Sequence, residues 1–377
     1  MTEIKESMKS VSFLNGHLIL RKHKTGVHYF HEYVTKKIAF MSNKKYKLKV
    51  SFFDRNKEHY KEIKKKENKW ITPYVEISNA PRILSYILPI EFFFGKHDLY
   101  FCDGLFPHTL HKSKKVCLVH DLMVKIYPEN YSLIRRAYLN LFFSKLKKAD
   151  LILAVSENTK RDIMKYYHIP AAKIIVCYNG VNEKKEIFKS NKPTSFNIHR
   201  KYLFYVGDMR KNKNLVRTVQ GFLNFCEENK VKDLYFYIAG KKSNDYQQIC
   251  EILKKSKYGK QVKFLGYISG NDKEILYQNC ESVVLLSLYE GFGMPIVEGM
   301  QYYKPVITSN CSSMKEVGEG ATVLADPKSI KDISRAIGDI YFKRFVVDKA
   351  IYDKKLAKYN FDNVAEIINS AIEECIN

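Results

Sequence analysis

The stretch SLYEGFGMPIVEGMQYYKPVITS, residues 287–309, decides how this chain is read. An apolar run, SVVLLS ending at Ser287, leads into it and has the composition of a buried strand. Gly291 and Gly293 then permit a tight turn and close approach of backbone to a ligand. Pro295 suits the first turn of a helix. PVITS, ending at Ser309, reads as the next strand. Strand, turn, helix and strand in that order make one unit of a parallel α/β sheet. The amides that open such a helix can hold phosphate oxygens. Glu290 stands at the strand end and Glu298 one turn inside the helix. Two carboxylates beside a phosphate-binding turn make little sense for phosphate alone. They make sense if each accepts hydrogen bonds from hydroxyls, a sugar on one side and a ribose on the other.

The same alternation extends in both directions. Upstream, YLFYVG ending at Gly207, LYFYIAG ending at Gly240 and VKFLGY ending at Tyr267 read as strands with helical segments between them. Earlier still come KLKVSFF ending at Phe53, DLYFCD ending at Asp103, KVCLVH ending at His120, LILAVS ending at Ser156 and KIIVCY ending at Tyr178. The polar segment NGVNEKKEIFKSNKPT, residues 179–194, breaks the pattern and reads as a linker. The expected fold is therefore α/β, with two doubly wound Rossmann-like domains facing across a cleft. Residues 1–185 form the first domain and 195–350 the second. A terminal helical segment over 351–377 packs back toward the first domain. Ligands of such sheets bind beyond the carboxyl ends of the strands.

Composition narrows the field. A chain of 377 residues suits two cores, and 45% hydrophobic residues can fill them. The formal charge of +24 favours anionic partners such as phosphorylated small molecules, anionic lipid or nucleic acid. No recognition helix or interleaved aromatic and basic RNA motif is evident, so nucleic acid is not an expected partner. The 8 cysteines form no C-x-x-C pair, which fits buried free thiols. No signal peptide is evident, and the most apolar run, ILSYILPIEFFFG over 83–95, is too short to span a bilayer. A cytoplasmic protein is expected. YSLIRRAYLNLFFSKLKK, 131–148, mixes apolar and basic residues at helical spacing; it reads as a buried helix with a charged outer face, the alternative being contact with an anionic membrane surface. KEIKKKENK, 61–69, reads as a solvated face or loop.

E-G-F-G-M-P-I-V-E, from Glu290 to Glu298, resembles the signature of retaining glycosyltransferases of the GT-B fold, family 4. YVGDMRKNKNL (205–215) resembles the first strand and loop of that family's donor domain, and SNCSSMKEVGEGATVLADP (309–327) the segment after the second glutamate. VHDL (119–122), VSENTKRDI (155–163) and KIIVCYNGVN (173–182) resemble landmarks of its acceptor domain, and TGVHYF (25–30) its first glycine loop. The matches run in the family's order over nearly the whole chain.

The resemblance implies roles for single residues. Glu290 contacts hydroxyls of the donor sugar, and Glu298 holds the donor ribose. Arg210 and Lys213 neutralise the leaving diphosphate. His120 lies by the reacting sugar. Gly26, Gly291, Phe292, Gly293, Met294 and Pro295 shape donor binding. Two basic side chains in place of a D-x-D motif imply that no metal or other cofactor is required. Asp208 departs from the family, which often has a basic residue there. His28 stands where many members have a second glycine in the first loop.

The implied activity is transfer of a hexose from a GDP- or UDP-sugar to a glycan or lipid-linked acceptor in surface polysaccharide or lipopolysaccharide synthesis. The enzyme is expected in the cytoplasm or peripherally on the inner face of the membrane. The alternatives are a nucleotide-sugar epimerase or phosphorylase of the same fold and, more remotely, a nucleic-acid-binding protein.

Overall fold

The structure is a computed structural model that describes residues 8–19, 26–42, 45–52, 75–79, 88–104, 106–181 and 201–377. The basic run 61–69, most of the expected linker 179–194 and the first part of the apolar run 83–95 lie outside the described residues. Contacts divide the chain into two units. One comprises Met1–Lys125, Tyr131–Gly180 and Phe361–Asn377. The other comprises Ile126–Asn130 and Val181–Asn360.

The first unit holds a parallel sheet of β1 (Ser10–Phe13), β2 (Lys47–Phe52), β3 (Val75–Asn79), β4 (Leu99–Asp103), β5 (Lys114–Val119), β6 (Leu151–Ala154) and β7 (Ile174–Val176), in the order β3-β2-β1-β4-β5-β6-β7. Apolar runs such as LILA in β6 are buried throughout, as a sheet covered on both faces requires. β1 and β3 were not expected. β1 is a central strand although it carries Ser10 and Ser12, because Ser12 is fully buried and shares a hydrogen bond with Ser51 of β2 at 3.0 Å. TGVHYF was expected to be a loop; from Gly26 onward it is the first turn of the Gly26–Met41 helix.

The terminal segment is two helices. Lys349–Lys358 belongs to the second unit, where Tyr352 donates to Lys304 O at 3.0 Å. Phe361–Ile376 belongs to the first, where its Asn369 Oδ1 accepts from Tyr46 at 2.7 Å and Phe361 stacks on Tyr33. The segment 131–148 is a helix, Leu133–Ser144, and a 3-10 turn, Leu146–Lys148. Its burial reverses the expectation over the first turns: Phe142, Phe143 and Leu146 are buried, but Leu133 and Ile134 are 77% and 85% exposed beside Arg135 and Arg136.

The second unit holds β8 (Lys201–Val206), β9 (Leu234–Ala239), β10 (Val262–Gly266), β11 (Ser282–Leu285), β12 (Val306–Ser309) and β13 (Val323–Ala325), all parallel, in the order β10-β9-β8-β11-β12-β13. Strand order reverses between β8 and β11, and in the first unit between β1 and β4. At such a switch point the loops leave in opposite directions and open a crevice at the carboxyl edge. All 8 cysteines are free, and five of them, Cys102, Cys117, Cys177, Cys226 and Cys280, are buried. Among the described residues no helix is long and apolar enough to cross a membrane.

Candidate active site

In the second unit, the loops after β8 and β11 flank the switch point. After β8 the chain turns at Gly207, makes a 3-10 turn over Lys211–Lys213, and enters the Leu215–Glu228 helix through Asn214 in the left-handed region. Asn214 Nδ2 donates to Leu286 O at 3.0 Å and to Pro327 O at 2.6 Å, tying this loop to the end of β11. Leu288 N–H donates to Asn212 O at 2.7 Å. The two loops are thereby fixed to each other, and Lys213 is carried to Glu290.

Lys213 Nζ donates to Glu290 Oε1 at 2.6 Å, and Ser287 Oγ donates to the same oxygen at 2.6 Å. The Glu290 backbone is held by the start of the Ser312–Gly318 helix, which follows β12. Ser312 Oγ accepts from Glu290 N–H at 3.2 Å and donates to Glu290 O at 2.9 Å, and Ser313 Oγ donates to that carbonyl at 2.9 Å. A carboxylate anchored at both backbone and side chain is preorganised, which favours recognition of charge that develops in a reaction. Arg210 Nη2 lies 2.7 Å from Asp208 Oδ2, so the unexpected acid after Gly207 neutralises the neighbouring arginine.

Gly293 caps the Met294–Gln301 helix with φ +98°, a conformation that disfavours side chains. Pro295 brings no N–H, and Ile296 N–H donates to Gly293 O at 2.9 Å. Of the first three helix residues only Met294 keeps an amide that the helix does not use. Phe292 is buried with its ring edge-to-face against Tyr359. Glu298 carries two partners from the Gly270–Asn279 helix: Lys273 Nζ donates to Oε1 and Tyr277 OH to Oε2, each at 2.6 Å. Burial, then the charge of Glu298, pushes the Tyr277 hydroxyl well above its ordinary pKa, so it stays a proton donor.

In the first unit, β4 ends at Asp103 and β5 is followed directly by His120. Asp121 Oδ1 accepts from Met123 N–H at 2.7 Å and so caps the short Met123–Ile126 helix. His31 Nε2 lies 2.5 Å from Asp103 Oδ2, and His120 Nε2 lies 3.3 Å from the same oxygen. His31, Asp103 and His120 are the one group of three or more His, Cys, Asp and Glu among the described residues with donor atoms close enough to share a cation. In the structure His31 Nε2 and Asp103 Oδ2 are hydrogen-bonded to each other.

Residues 182–357 match the family described as Glycosyl transferases group 1. Residues 45–185 match the one described as Glycosyltransferase Family 4. The chain belongs to the GT-B glycosyltransferases of family 4. Among curated relatives of this glycosyltransferase is the O-antigen chain mannosyltransferase RfbU of Salmonella typhimurium, 28% identical over 263 residues that make up 68% of each chain. The O-antigen chain mannosyltransferase B of Escherichia coli is 26% identical over 61% of each chain. The serotype-specific mannosyltransferase WbdA of Escherichia coli is 24% identical over 78% of this chain and 37% of its own length. Among solved structures, Anabaena HepE in complex with UDP and glucose superposes with a TM-score of 0.67 at 16% identity, over 97% of this chain and 100% of that one. The lipopolysaccharide outer core galactosyltransferase WaaB superposes with a TM-score of 0.65 at 18% identity, over 97% and 99%. At such identities these structures bear on fold.

Within the glycosyltransferase, the structure brings Glu290, Lys213 and the Gly291–Pro295 turn together at one switch point, with Arg210 on the same loop as Lys213. Glu298 stands on the helix that follows. His120 stands in the other unit, as does Gly26, the first residue of its helix. The motifs give no role to Ser312 and Ser313, although both lie in the 309–327 segment, and do not include Lys273, Tyr277, His31 or Asp103. Asp103 carried a signal: it is the last residue of an expected strand, and carboxyl ends of strands are where such sheets do chemistry.

Proposed function

We propose that this glycosyltransferase moves a hexose from a nucleoside diphosphate sugar to a glycan or lipid-linked acceptor of surface polysaccharide, with retention of anomeric configuration and no required metal ion. The observation that carries the reading is Lys213 and Ser287 converging on Glu290 at the switch point of the second unit. Breaking the bond between sugar and phosphate puts negative charge on the leaving diphosphate and positive charge on the ring. Lys213 and the Met294 amide stabilise the first, and Glu290 faces the second while binding a sugar hydroxyl. Arg210 adds charge if the diphosphate displaces Asp208 from it. Glu298 takes the ribose hydroxyls on lone pairs not used by Lys273 and Tyr277. The chemistry of charge stabilisation is then met by the chain's own cations.

The names of the O-antigen mannosyltransferase relatives make O-antigen synthesis the first context to test and mannose the first sugar. The exposed Leu133 and Ile134 beside Arg135 and Arg136 support a peripheral site on an anionic membrane, where a lipid-linked acceptor resides. Flotation with anionic and neutral vesicles checks that part.

Thermal stabilisation by GDP, UDP and their sugars, with and without EDTA, tests the donor reading, since a ligand of the folded state must raise its apparent stability. One nucleotide series is expected to stabilise the protein in EDTA, and Glu298→Ala is expected to lose the shift. No shift with any donor at saturation overturns the reading. Epimerised sugar from donor alone assigns the chain to the epimerase class instead.

A further inference from the structure

Asn212 is the middle residue of the Lys211–Lys213 turn, with a lysine on either side, yet it is only 1% exposed. A buried amide needs partners at both ends. Its Nδ2 donates to Tyr289 O at 3.2 Å, and its Oδ1 accepts from Asn130 Nδ2 at 3.1 Å. The chemistry of the partners sets this orientation. A backbone carbonyl can only accept, so the amide nitrogen faces Tyr289 and the oxygen faces Asn130. The Asn212 backbone carbonyl also accepts from Leu288 N–H at 2.7 Å.

One residue therefore grips Leu288 and Tyr289, the two that precede Glu290. The next residue along the chain, Lys213, puts its ammonium 2.6 Å from Glu290 Oε1. A lysine side chain is long and has many rotamers, so a contact this short depends on the spacing of the two backbones that carry the pair. Asn214 ties the same turn to Leu286 and Pro327. Asn212 acts nearer the carboxylate, on the residue directly before it.

The partner of the Asn212 amide comes from far off in sequence. Ile126–Asn130 packs with the second unit, although Lys125 and Tyr131 on either side of it belong to the first. Within the second unit this segment lies against the loop before Glu290. The Tyr127 ring stands 6.4 Å from that of Tyr289, tilted by 41°. Asn130 supplies the amide nitrogen that holds Asn212 in its orientation.

We propose that Asn212 is a positioning residue: its bond to Tyr289 O sets the spacing at which Lys213 meets Glu290, and Asn130 holds its amide in register. The effect on turnover rests on the proposed function above; the effect on geometry does not. An asparagine that merely filled the loop would cost stability when replaced, and its effect on turnover would be independent of Lys213.

The test uses the full-length protein with Asn212→Leu, which has nearly the same shape and removes both amide bonds. Asn130→Ala leaves the turn intact and serves in its place if Asn212→Leu does not fold. Crystal structures of wild type and variant, grown without a donor, read the geometry. The Lys213–Glu290 contact is expected in the wild type and is expected to open by about 1 Å or more in the variant. A wild type without the Asn212–Tyr289 bond, or a variant that keeps the contact, overturns the proposal. Turnover is read as release of nucleoside diphosphate from GDP-mannose and from the common UDP-hexoses. Asn212→Leu is expected to lower kcat about tenfold or more, with donor KM moving less than about threefold. In a Lys213→Ala background the same substitution is expected to lower kcat by less than about twofold, because the group it places is gone. Equal losses in the two backgrounds overturn the proposal. If the wild type turns over none of these donors, or Lys213→Ala keeps the wild-type kcat, it is the proposed function that fails, and the crystal comparison alone judges Asn212.

Discussion

Lys213 Nζ and Glu290 Oε1 lie 2.6 Å apart, although 77 residues separate them in sequence. Both side chains are largely buried, so neither charge is well solvated without the other. The pair carries opposite duties in the proposed reaction, one facing the leaving diphosphate and one facing the sugar. Lys213→Ala is expected to lower kcat by about 10²–10³-fold, the usual scale for one lost electrostatic stabiliser. Glu290→Gln keeps the shape and is expected to lower kcat more than it weakens donor binding. Steady-state kinetics on both variants, with folding checked by circular dichroism, decide the matter. Unchanged kcat in Lys213→Ala removes the lysine from the mechanism.

Glu298 differs from Glu290 in its partners. Lys273 and Tyr277 occupy one oxygen each, so the carboxylate is oriented before any ligand arrives. Lys273→Met is expected to loosen that orientation and weaken nucleotide binding by about tenfold, the order of one charge-assisted hydrogen bond. Binding of the nucleoside diphosphate alone, measured by calorimetry, isolates this from catalysis. A stronger affinity in Lys273→Met would show that the lysine competes with the ribose instead of aligning its receptor.

What was legible in the sequence follows from locality. Glu290, the Gly291–Pro295 turn and Glu298 lie within one strand–turn–helix unit, so their grouping can be read from spacing alone. Strands such as LILA and SVVL announce themselves because both faces are buried. β1 hid because a buried strand containing Ser10 and Ser12 looks polar until Ser51 is found opposite. β13, only three residues long, carries too little pattern to stand out. The group around His120 could not be read because residues 15, 31, 103 and 120 meet only when three strands and a helix are assembled. The exposed Leu133 and Ile134 were misread for a related reason: helical spacing says which residues share a face, and not which face is covered.

Gly240 sits at the end of β9 with φ +137°, and a Cβ there would stand 2.0 Å from Gly207 O. That atom is backbone and cannot swing away. Gly240→Ala is expected to destabilise the second unit by roughly 3 kcal/mol or more, combining backbone strain with steric overlap. Gly320 also has positive φ, at +72°, but nothing lies within 4 Å of its Cβ position. Gly320→Ala should therefore cost only about 1 kcal/mol. Urea unfolding of the two variants compares them directly, and equal losses would mean that the close approach at Gly207 relaxes without penalty.

The last helix is structural for the first unit. Phe361, Val364, Ala365, Ile368, Ala371 and Ile372 are buried, and Tyr46 donates to Asn369. Truncation after Asn360 uncovers that face and is expected to give insoluble or unfolded protein. Tyr46→Phe removes a single buried hydrogen bond and should cost about 1–3 kcal/mol, the larger figure applying if Asn369 Oδ1 is left unsatisfied. A soluble, cooperatively folded truncation product would place the stability of the first unit elsewhere.

The Asp103 group also fixes how stability should vary with pH. Burial alone would raise the Asp103 pKa, but the charge of His120 beside it and the hydrogen bond from His31 reverse it and hold the carboxyl far below its usual range. A depressed carboxylate contributes stability that is present above its unfolded pKa of about 3.9 and is lost as pH falls toward the folded value. His120 has the opposite sign: raised, it contributes stability that is full below about 6.5 and fades as pH rises through its folded pKa. His31 is depressed, so protonation of the unfolded chain works against the fold as pH drops below about 6.5. Asp103→Asn removes the first two contributions together. The stability difference between wild type and Asp103→Asn is therefore expected to be largest between about pH 4.5 and 6.5, to shrink in stronger acid, and to shrink in part at alkaline pH, where the His31 bond to Asp103 persists. Urea midpoints at pH 3, 5.5 and 9 give the three points needed. A difference that stays flat across them would mean that Asp103 is tied into the fold by shape and not by charge.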